Sequence, residues 1–319
     1  MLMECDGERC GGFSVGATMT PQSTAAWHQP VMGAEALGLL DPRPGDVMVD
    51  GTAGTGGHSL MILPHLLPEG RLIAIDRDRE PLELARKRLT EFTPQVTFAH
   101  GNFRNLAELL DELHVSAVDG VLLDLGMSSL QVDQPQRGFS FSKEGPLDMR
   151  MDHEQEETAG ALVNELSADE LEQLIQELGE ERFARRIAQR ILHVRRAKPI
   201  RTTTQLARIV AEAVPASARH GRIHVATRTF QALRMAVNDE LGALEALLGD
   251  LPRILKPGGR AVILTFHSLE DRMVKRAFAQ GLRDGRWAVL TKKPLRPSQE
   301  ECVQNPRARC AKLRSIERI

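Results

Sequence analysis

The sequence lacks the features that mark zinc-binding, secreted and membrane-spanning proteins. Only four of its 319 residues are cysteines, and they form no C-x-x-C pair, which argues against a zinc site and favours a reduced, cytoplasmic chain. No apolar run approaches the roughly 20 residues that span a bilayer. The first 26 residues are polar and rich in glycine where a signal peptide needs an apolar core. We therefore expect a cytoplasmic protein that has no metal site and does not enter a membrane.

A strong overall charge is also missing, since 41 basic and 43 acidic residues give a net charge of −2. The charges are nevertheless segregated. Residues 152–181 hold eleven acids and no lysine or arginine, residues 182–208 hold nine basic residues and no acid, and residues 292–318 hold eight basic residues against three acids. Either the acidic and basic runs pair with each other on solvated helix faces, or the basic run binds phosphates. The two basic segments favour a nucleic-acid substrate.

Short apolar runs alternate with a helical pattern between Val47 and Leu125. Such alternation predicts an α/β domain with a parallel sheet and right-handed crossovers, in which ligands bind at the carboxyl ends of the strands. The predicted strands cover residues 47–49, 72–75, 96–99 and 120–125, with a helix over residues 80–89. Polar or loop residues lie at all four strand ends, and we expect them to form one site: Asp50, Asp76, Gly101–Phe103 and Asp124.

A glycine-rich loop follows the first predicted strand, where residues 47–59 read VMVDGTAGTGGHS. Its four glycines let the backbone approach a ligand closely, and Asp76 at the next strand end can bind the hydroxyls of a ribose. Ser59 stands where a dinucleotide fold has its third glycine or alanine. Asp50 before the loop disfavours a pyrophosphate and suits a cationic ligand end, as in S-adenosylmethionine (SAM). An NAD-dependent dehydrogenase is therefore the less favoured alternative.

The alternation stops near residue 131, and helical patterns take over until about residue 224. One long helix is predicted to carry apolar residues from Phe230 to Leu248 and to end at residues 256–259, before a strand over residues 260–266. His267 and Asp271 are candidate caps of a further helix that begins at Ser268, where Ser268-Leu-Glu-Asp271 has the pattern of a capping box, and neither is assigned a catalytic role. Two antiparallel strands are predicted to close the sheet, at residues 287–291 and 312–316.

Eight motifs, in order from His28 to Arg309, closely resemble those of the bacterial RsmH (MraW) family. They are HQPVM at 28–32, DGTAGTGGHS at 50–59, DLGMSS at 124–129, RGFSF at 137–141, PLDMRMD at 146–152, TRTFQALR at 227–234, FHSLEDR at 266–272 and NPRAR at 305–309. The departures from the family pattern are small: Met127 replaces a usual valine, Leu130 a common proline and Cys310 a common serine.

The resemblance implies a class I SAM-dependent methyltransferase fold, Rossmann-like with a mostly parallel sheet, formed by residues 28–130 and 226–319. Residues 131–225 are then a mainly helical insertion that recognises RNA, and residues 1–27 a mobile polar tail. Enzymes of this family methylate N4 of a cytidine in the decoding region of 16S ribosomal RNA. The implied partner is that RNA or the small ribosomal subunit. Which of the two is the substrate stays open, as does the oligomeric state.

The cofactor contacts of the family can be carried over where the motifs align. The resemblance implies that Gly56, Gly57 and His58 hold the methionine end of SAM and that Asp76 holds the ribose. It implies further that Phe103 contacts the adenine, and that Asp124 and Gln131 complete the pocket. Only Gln131 would not have been chosen from the residue pattern itself.

The proposed reaction needs alignment and a hydrogen-bond acceptor, because the lone pair of N4 is delocalised into the cytosine ring. Asp124 is the candidate catalytic residue, although a backbone carbonyl is an alternative acceptor. The sequence Asp124-Leu-Gly-Met differs from the (Asp/Asn/Ser)-Pro-Pro-aromatic motif of DNA amino-methyltransferases. Methylation at carbon 5 would need a nucleophilic cysteine, and all four cysteines are expected to lie outside the pocket. A non-enzymatic RNA-binding protein would not need carboxylates at three strand ends.

Overall fold

The computed structural model describes residues 29–219 and 223–319, so the predicted tail over residues 1–27 lies outside the described residues. The strands are β1 (Val47–Asp50), β2 (Arg71–Asp76), β3 (Val96–His100), β4 (Val118–Asp124), β5 (Leu255–Thr265), β6 (Trp287–Val289) and β7 (Lys312–Arg318). The helices are α1 (Gly33–Leu40), α2 (Gly57–Leu66), α3 (Arg79–Arg88), α4 (Leu106–Glu112), α5 (Ser129–Asp133), α6 (Ala159–Glu165), α7 (Ala168–Gly179), α8 (Ala184–Arg195), α9 (Thr203–Ala213), α10 (Thr227–Val237), α11 (Glu240–Ile254), α12 (Ser268–Arg283) and α13 (Gln299–Gln304). No helix among the described residues has the length and apolar character needed to cross a bilayer.

All seven strands belong to one sheet with the order β3-β2-β1-β4-β5-β7-β6. Strands β1 to β5 run parallel, and β7 pairs antiparallel with both β5 and β6. The predicted parallel sheet and its antiparallel closure are therefore confirmed. The strand order reverses direction beside β1 and β4, and such a switch point opens a crevice at the carboxyl ends of the strands.

Helices cover both faces of the sheet because alternate residues of each strand point to opposite sides. Met48, Leu72 and Leu122 pack with apolar residues of α1 and α2 on one face. On the other face, Val49 and Ile73 pack with residues of α4, α11 and α12. Burial on both faces explains why the central strands read as nearly continuous apolar runs.

The segment between β4 and β5 contains helices α5 to α11 and has its own apolar core. All buried members of this core lie between Phe139 and Val237, so α10 packs into it along with α6 to α9. The predicted domain division at residues 131 and 225 stays a prediction. No ion pair joins the acidic run 152–181 to the basic run 182–208, all of which the structure describes; Arg190 instead pairs with Glu212.

The prediction of one long helix after residue 227 is wrong. The long helix after residue 227 is broken at Asn238 and Asp239, and Asp239 has a left-handed backbone with φ of 41°. The Asn238 amide is the physical reason, because it donates to Met149 O and accepts from Met151 N, which ties the break to a distant loop. The predicted start of α12 at Ser268 and its cap by His267 are confirmed, but the acidic partner in the capping box is Glu270 and not Asp271.

Candidate active site

A cavity of about 620 Å³ lies at the carboxyl ends of the parallel strands, within the size range of small-molecule sites. The loop after β1, the ends of β2 and β4, and the loop after β3 all contribute to its wall. Six of the seven predicted cofactor residues line it: Gly57, His58, Asp76, Phe103, Asp124 and Gln131. The expectation that the strand ends converge on one site therefore holds for these residues.

Gly56 is the exception, because it faces α3 and does not line the cavity. Its backbone has φ of 78°, a left-handed conformation that favours glycine. A Cβ at this position would lie 3.2 Å from Leu89 Cδ1 and 3.3 Å from Ala85 Cβ. In this structure, Gly56 shapes the loop and permits close packing on α3.

Asp50 also differs from the expectation, since it lies beneath the loop and not at the cavity surface. Its carboxylate accepts a 2.7 Å hydrogen bond from Ser59 Oγ and a 3.3 Å bond from Thr52 N. Burial raises the pKa of Asp50. Ser59, the residue that departs from the dinucleotide pattern, is thus the hydrogen-bond partner of the buried acid. A direct contact of Asp50 with a cationic ligand end is not supported.

Asp76 lies where the glycine loop meets the end of β2. Its carboxylate accepts hydrogen bonds of 2.7 Å from Gly54 N and 2.8 Å from Asp78 N. Burial raises the pKa of Asp76 to about 6, although these two hydrogen bonds oppose the rise. Each carboxylate oxygen keeps a second lone pair, so the side chain can still accept from ligand hydroxyls in the cavity.

His58 and Asp124 form a pair across the cavity wall. His58 is the second residue of α2 and is 6% exposed, and its Nε2 lies 3.4 Å from Asp124 Oδ2. Within residues 29–219 and 223–319, neither His58 Nε2 nor Asp124 Oδ1 has a hydrogen-bond partner, although both atoms are buried. Buried polar atoms are rarely left without a partner in native proteins, so these two atoms mark a place for a polar ligand.

The charges around His58 favour its protonated form. Burial alone would lower the pKa of His58, but the adjacent Asp124 carboxylate, together with the charges of Asp50 and Glu301, raises it above the ordinary value. The backbone of Asp124 is fixed in turn, because its N–H donates a 2.7 Å hydrogen bond to Thr52 Oγ1. The pair is therefore held by both the loop after β1 and the end of β4.

Asp78, Gln131 and Arg137 form a buried polar network next to the cavity wall. The sequence patterns did not predict this network. Asp78 accepts hydrogen bonds of 2.6 Å from Arg137 and 2.8 Å from Gln131 Nε2. Gln131 Oε1 accepts from Ser128 N, which completes the capping box of α5. Gln131 thus lines the cavity and connects its wall to Asp78.

The cavity lining includes a second group of buried charges. Arg234 donates to both carboxylate oxygens of Glu240, at 2.7 and 2.8 Å. The pKa of Glu270 is lowered, since the hydrogen bond and charge of His267 and the charge of Arg234 outweigh the effect of burial. Glu240, His267 and Glu270 offer ligand atoms within 4.8 Å of one another, but Arg234 and the α12 cap already engage both carboxylates.

One cysteine lies closer than expected, because Cys310 lines the cavity. It ends the 3₁₀ helix Pro306–Cys310, which also brings Arg307 to the cavity, and its side chain is exposed. The prediction that all four cysteines lie outside the pocket is therefore wrong. The segment is nearly 200 residues from β4 in sequence, so spacing could not place it.

Comparison with known proteins identifies relatives along almost the whole chain. The model of the MraW methylase family matches residues 25–319. A protein named ribosomal RNA small subunit methyltransferase H from Syntrophotalea carbinolica is 49% identical over 307 residues, which cover 92% of this chain and 98% of the relative. Proteins of the same name from Halothermothrix orenii and Geobacter sulfurreducens are 46% and 49% identical, with the same 92% of this chain covered and 98% and 99% of the relatives.

Proposed function

This chain belongs to the MraW methylase family, and we propose that it methylates N4 of a cytidine in the decoding region of 16S ribosomal RNA. SAM is the methyl donor, and the fold is that of the class I SAM-dependent methyltransferases. The names of the relatives support small-subunit ribosomal RNA as the substrate. The choice of N4 rests on the eight motifs and on the chemistry of the cavity.

The residues of the cavity fit the cofactor. Gly57 and His58 lie together at the amino end of α2, and Asp124 presents an unpaired carboxylate oxygen beside them. We assign the methionine end of SAM to this region, because the backbone N–H groups at the amino end of a helix suit a ligand carboxylate. Asp76 then holds the ribose and Phe103 the adenine, with Gln131 completing the wall. When bound, SAM supplies a methyl group made electrophilic by its sulfonium.

The protein's part in the reaction is alignment and proton acceptance. Holding N4 in line with the methyl group can lower the barrier by on the order of 7–11 kcal/mol. The single observation that carries the proposal is Oδ1 of Asp124, which is buried at the cavity and has no hydrogen-bond partner in the part of the chain that the structure describes. We assign this oxygen as the acceptor of the N4 proton, in preference to a backbone carbonyl.

The RNA is proposed to contact the helical segment through its basic run. Arg185 and Arg186 are exposed on α8, whereas Arg190 is held by Glu212. Exposed arginines without a carboxylate partner are suited to phosphate contacts. A face of this kind would orient the RNA while the target base enters the cavity.

Label transfer tests this substrate assignment. The protein is incubated with methyl-labelled SAM and either complete 16S RNA, assembled small subunits, or 16S RNA from which the decoding region has been deleted. We expect label in at least one of the first two substrates and none in the third. Equal labelling of the deleted RNA would contradict the proposal. A Cys310→Ser variant should keep the wild-type rate, whereas loss of activity would favour attack by this cysteine and methylation at carbon 5.

A further inference from the structure

The buried His58–Asp124 pair supports an inference about the movement of protons, and this inference rests on the proposed N4 reaction. We propose that one positive charge stays beside Asp124 throughout the reaction. Protonated His58 carries it when SAM is absent, and SAM carries it when bound. In this view His58 loses its proton when SAM binds, and it takes up the N4 proton, passed through Asp124, once the methyl group has been transferred.

The arrangement of charges around His58 is the first argument. Three carboxylates act on its imidazole: Asp124 from the end of β4, Asp50 from the end of β1 and Glu301 from α13. The amino terminus of α2 opposes a cation at this position, but the carboxylates prevail. A protonated His58, itself almost fully buried, therefore balances the charge of Asp124 in the cavity wall.

The charge of the ligand is the second argument. SAM carries one net positive charge at neutral pH, from its sulfonium, ammonium and carboxylate groups, whereas the product S-adenosylhomocysteine carries none. Two cations in one buried pocket repel each other strongly, because the local dielectric is low. Binding of SAM therefore favours the neutral imidazole, and binding of the product does not.

The proposed proton path balances over one turnover. The N4 lone pair forms the new bond to the methyl carbon, and the carbon–sulfur bond breaks with its electron pair left on sulfur. N4 then gives one proton to Asp124 Oδ1. Rotation of the protonated carboxyl group about its Cβ–Cγ bond exchanges the two oxygens and brings this proton to the position of Oδ2, 3.4 Å from His58 Nε2. Transfer of the proton to Nε2 then returns Asp124 to its charged form. The pocket thus keeps one cation throughout, and the next SAM expels the proton to solvent.

Proton release on binding tests this inference without any turnover. Titration calorimetry at pH 6.5 in two buffers of different ionisation enthalpy gives the protons exchanged when SAM or S-adenosylhomocysteine binds. The neighbouring carboxylates raise the pKa of His58 above its ordinary value, which favours a protonated imidazole in the ligand-free protein. We expect SAM to release up to about one proton more per site than S-adenosylhomocysteine does. Any contribution of Asp76 or Asp50 to this difference does not need the imidazole, so it persists when His58 is replaced.

Two histidine variants provide the comparison. His58→Gln should abolish the difference between the ligands, while His65→Gln, an exposed histidine on the same α2, should keep it. The inference would be overturned if His58→Gln kept the wild-type difference in proton release between SAM and S-adenosylhomocysteine, or if the wild type showed no such difference.

A second measurement covers the case in which His58→Gln binds neither ligand. In the wild type, the ratio of the SAM and S-adenosylhomocysteine dissociation constants should fall as pH rises, by up to about tenfold per pH unit below the pKa of His58. A ratio that does not vary with pH would overturn the inference. If the RNA product proves to be methylated at another atom, the N4 proposal fails but these binding results stand on their own.

Discussion

Removal of Arg137 should destabilise the protein far more than removal of a similar arginine at the surface. The Arg137 and Asp78 side chains are 3% and 1% exposed, and their charged atoms lie 2.6 Å apart. Arg137→Met would leave a buried carboxylate with only Gln131 Nε2 and Glu80 N as donors. Breaking a buried pair in this way costs about 3–5 kcal/mol, which is a large share of the about 5–15 kcal/mol that stabilises a typical domain.

Urea unfolding followed by circular dichroism measures this effect. Arg253→Met is the matched control, because it breaks an ion pair with Asp111 whose side chains are 58% and 62% exposed. Exposed pairs contribute about 0–1 kcal/mol, so the control should unfold almost as the wild type does. Adding Asp78→Asn to the Arg137 variant removes the buried charge and should recover part of the loss. Equal destabilisation by Arg137→Met and Arg253→Met would refute this reasoning.

Three further predictions concern the cofactor and the RNA. Asp76→Ala should weaken SAM binding by about 1.5–3 kcal/mol, the range for hydrogen bonds to a charged group; unchanged affinity by calorimetry, in a folded variant, would remove Asp76 from the ribose role. Asp124→Ala should slow single-turnover methylation at saturating SAM and RNA by about 10²–10⁴-fold, and a near-normal rate would exclude it as the necessary acceptor. Reversing the charges of Arg185 and Arg186 should not change SAM affinity. It should reduce the slope of the logarithm of the RNA binding constant against the logarithm of the salt concentration by about 0.7–0.9 per lost phosphate contact. An unchanged slope would argue against contacts between α8 and phosphates.

The strand-end residues could be predicted from sequence because the geometry of a parallel sheet leaves little choice. Once β1 to β4 are recognised, their carboxyl ends must meet at one edge, which brings Asp76 and Asp124 together. The glycine loop is similarly informative, since it follows directly from β1. Local patterns thus determine which residues reach the cavity edge.

Side-chain direction and distant contacts could not be predicted in the same way. Asp50 and Gly56 belong to the loop motif, yet the first bonds Ser59 below the cavity and the second packs on α3. The break between α10 and α11 depends on hydrogen bonds from Asn238 to a loop nearly 90 residues earlier. Cys310 reaches the cavity through tertiary packing. Each of these depends on a partner that spacing along the chain does not specify.

Identification of the methylated nucleoside tests the central claim most directly. Small-subunit RNA methylated by the wild-type protein is digested to nucleosides, and the labelled product is separated by chromatography and mass spectrometry from standards of the same mass. We predict N4-methylcytidine from the decoding region. Label in 5-methylcytidine, or in a methylated nucleoside that does not derive from cytidine, would contradict the assignment of Asp124 as the acceptor of an N4 proton.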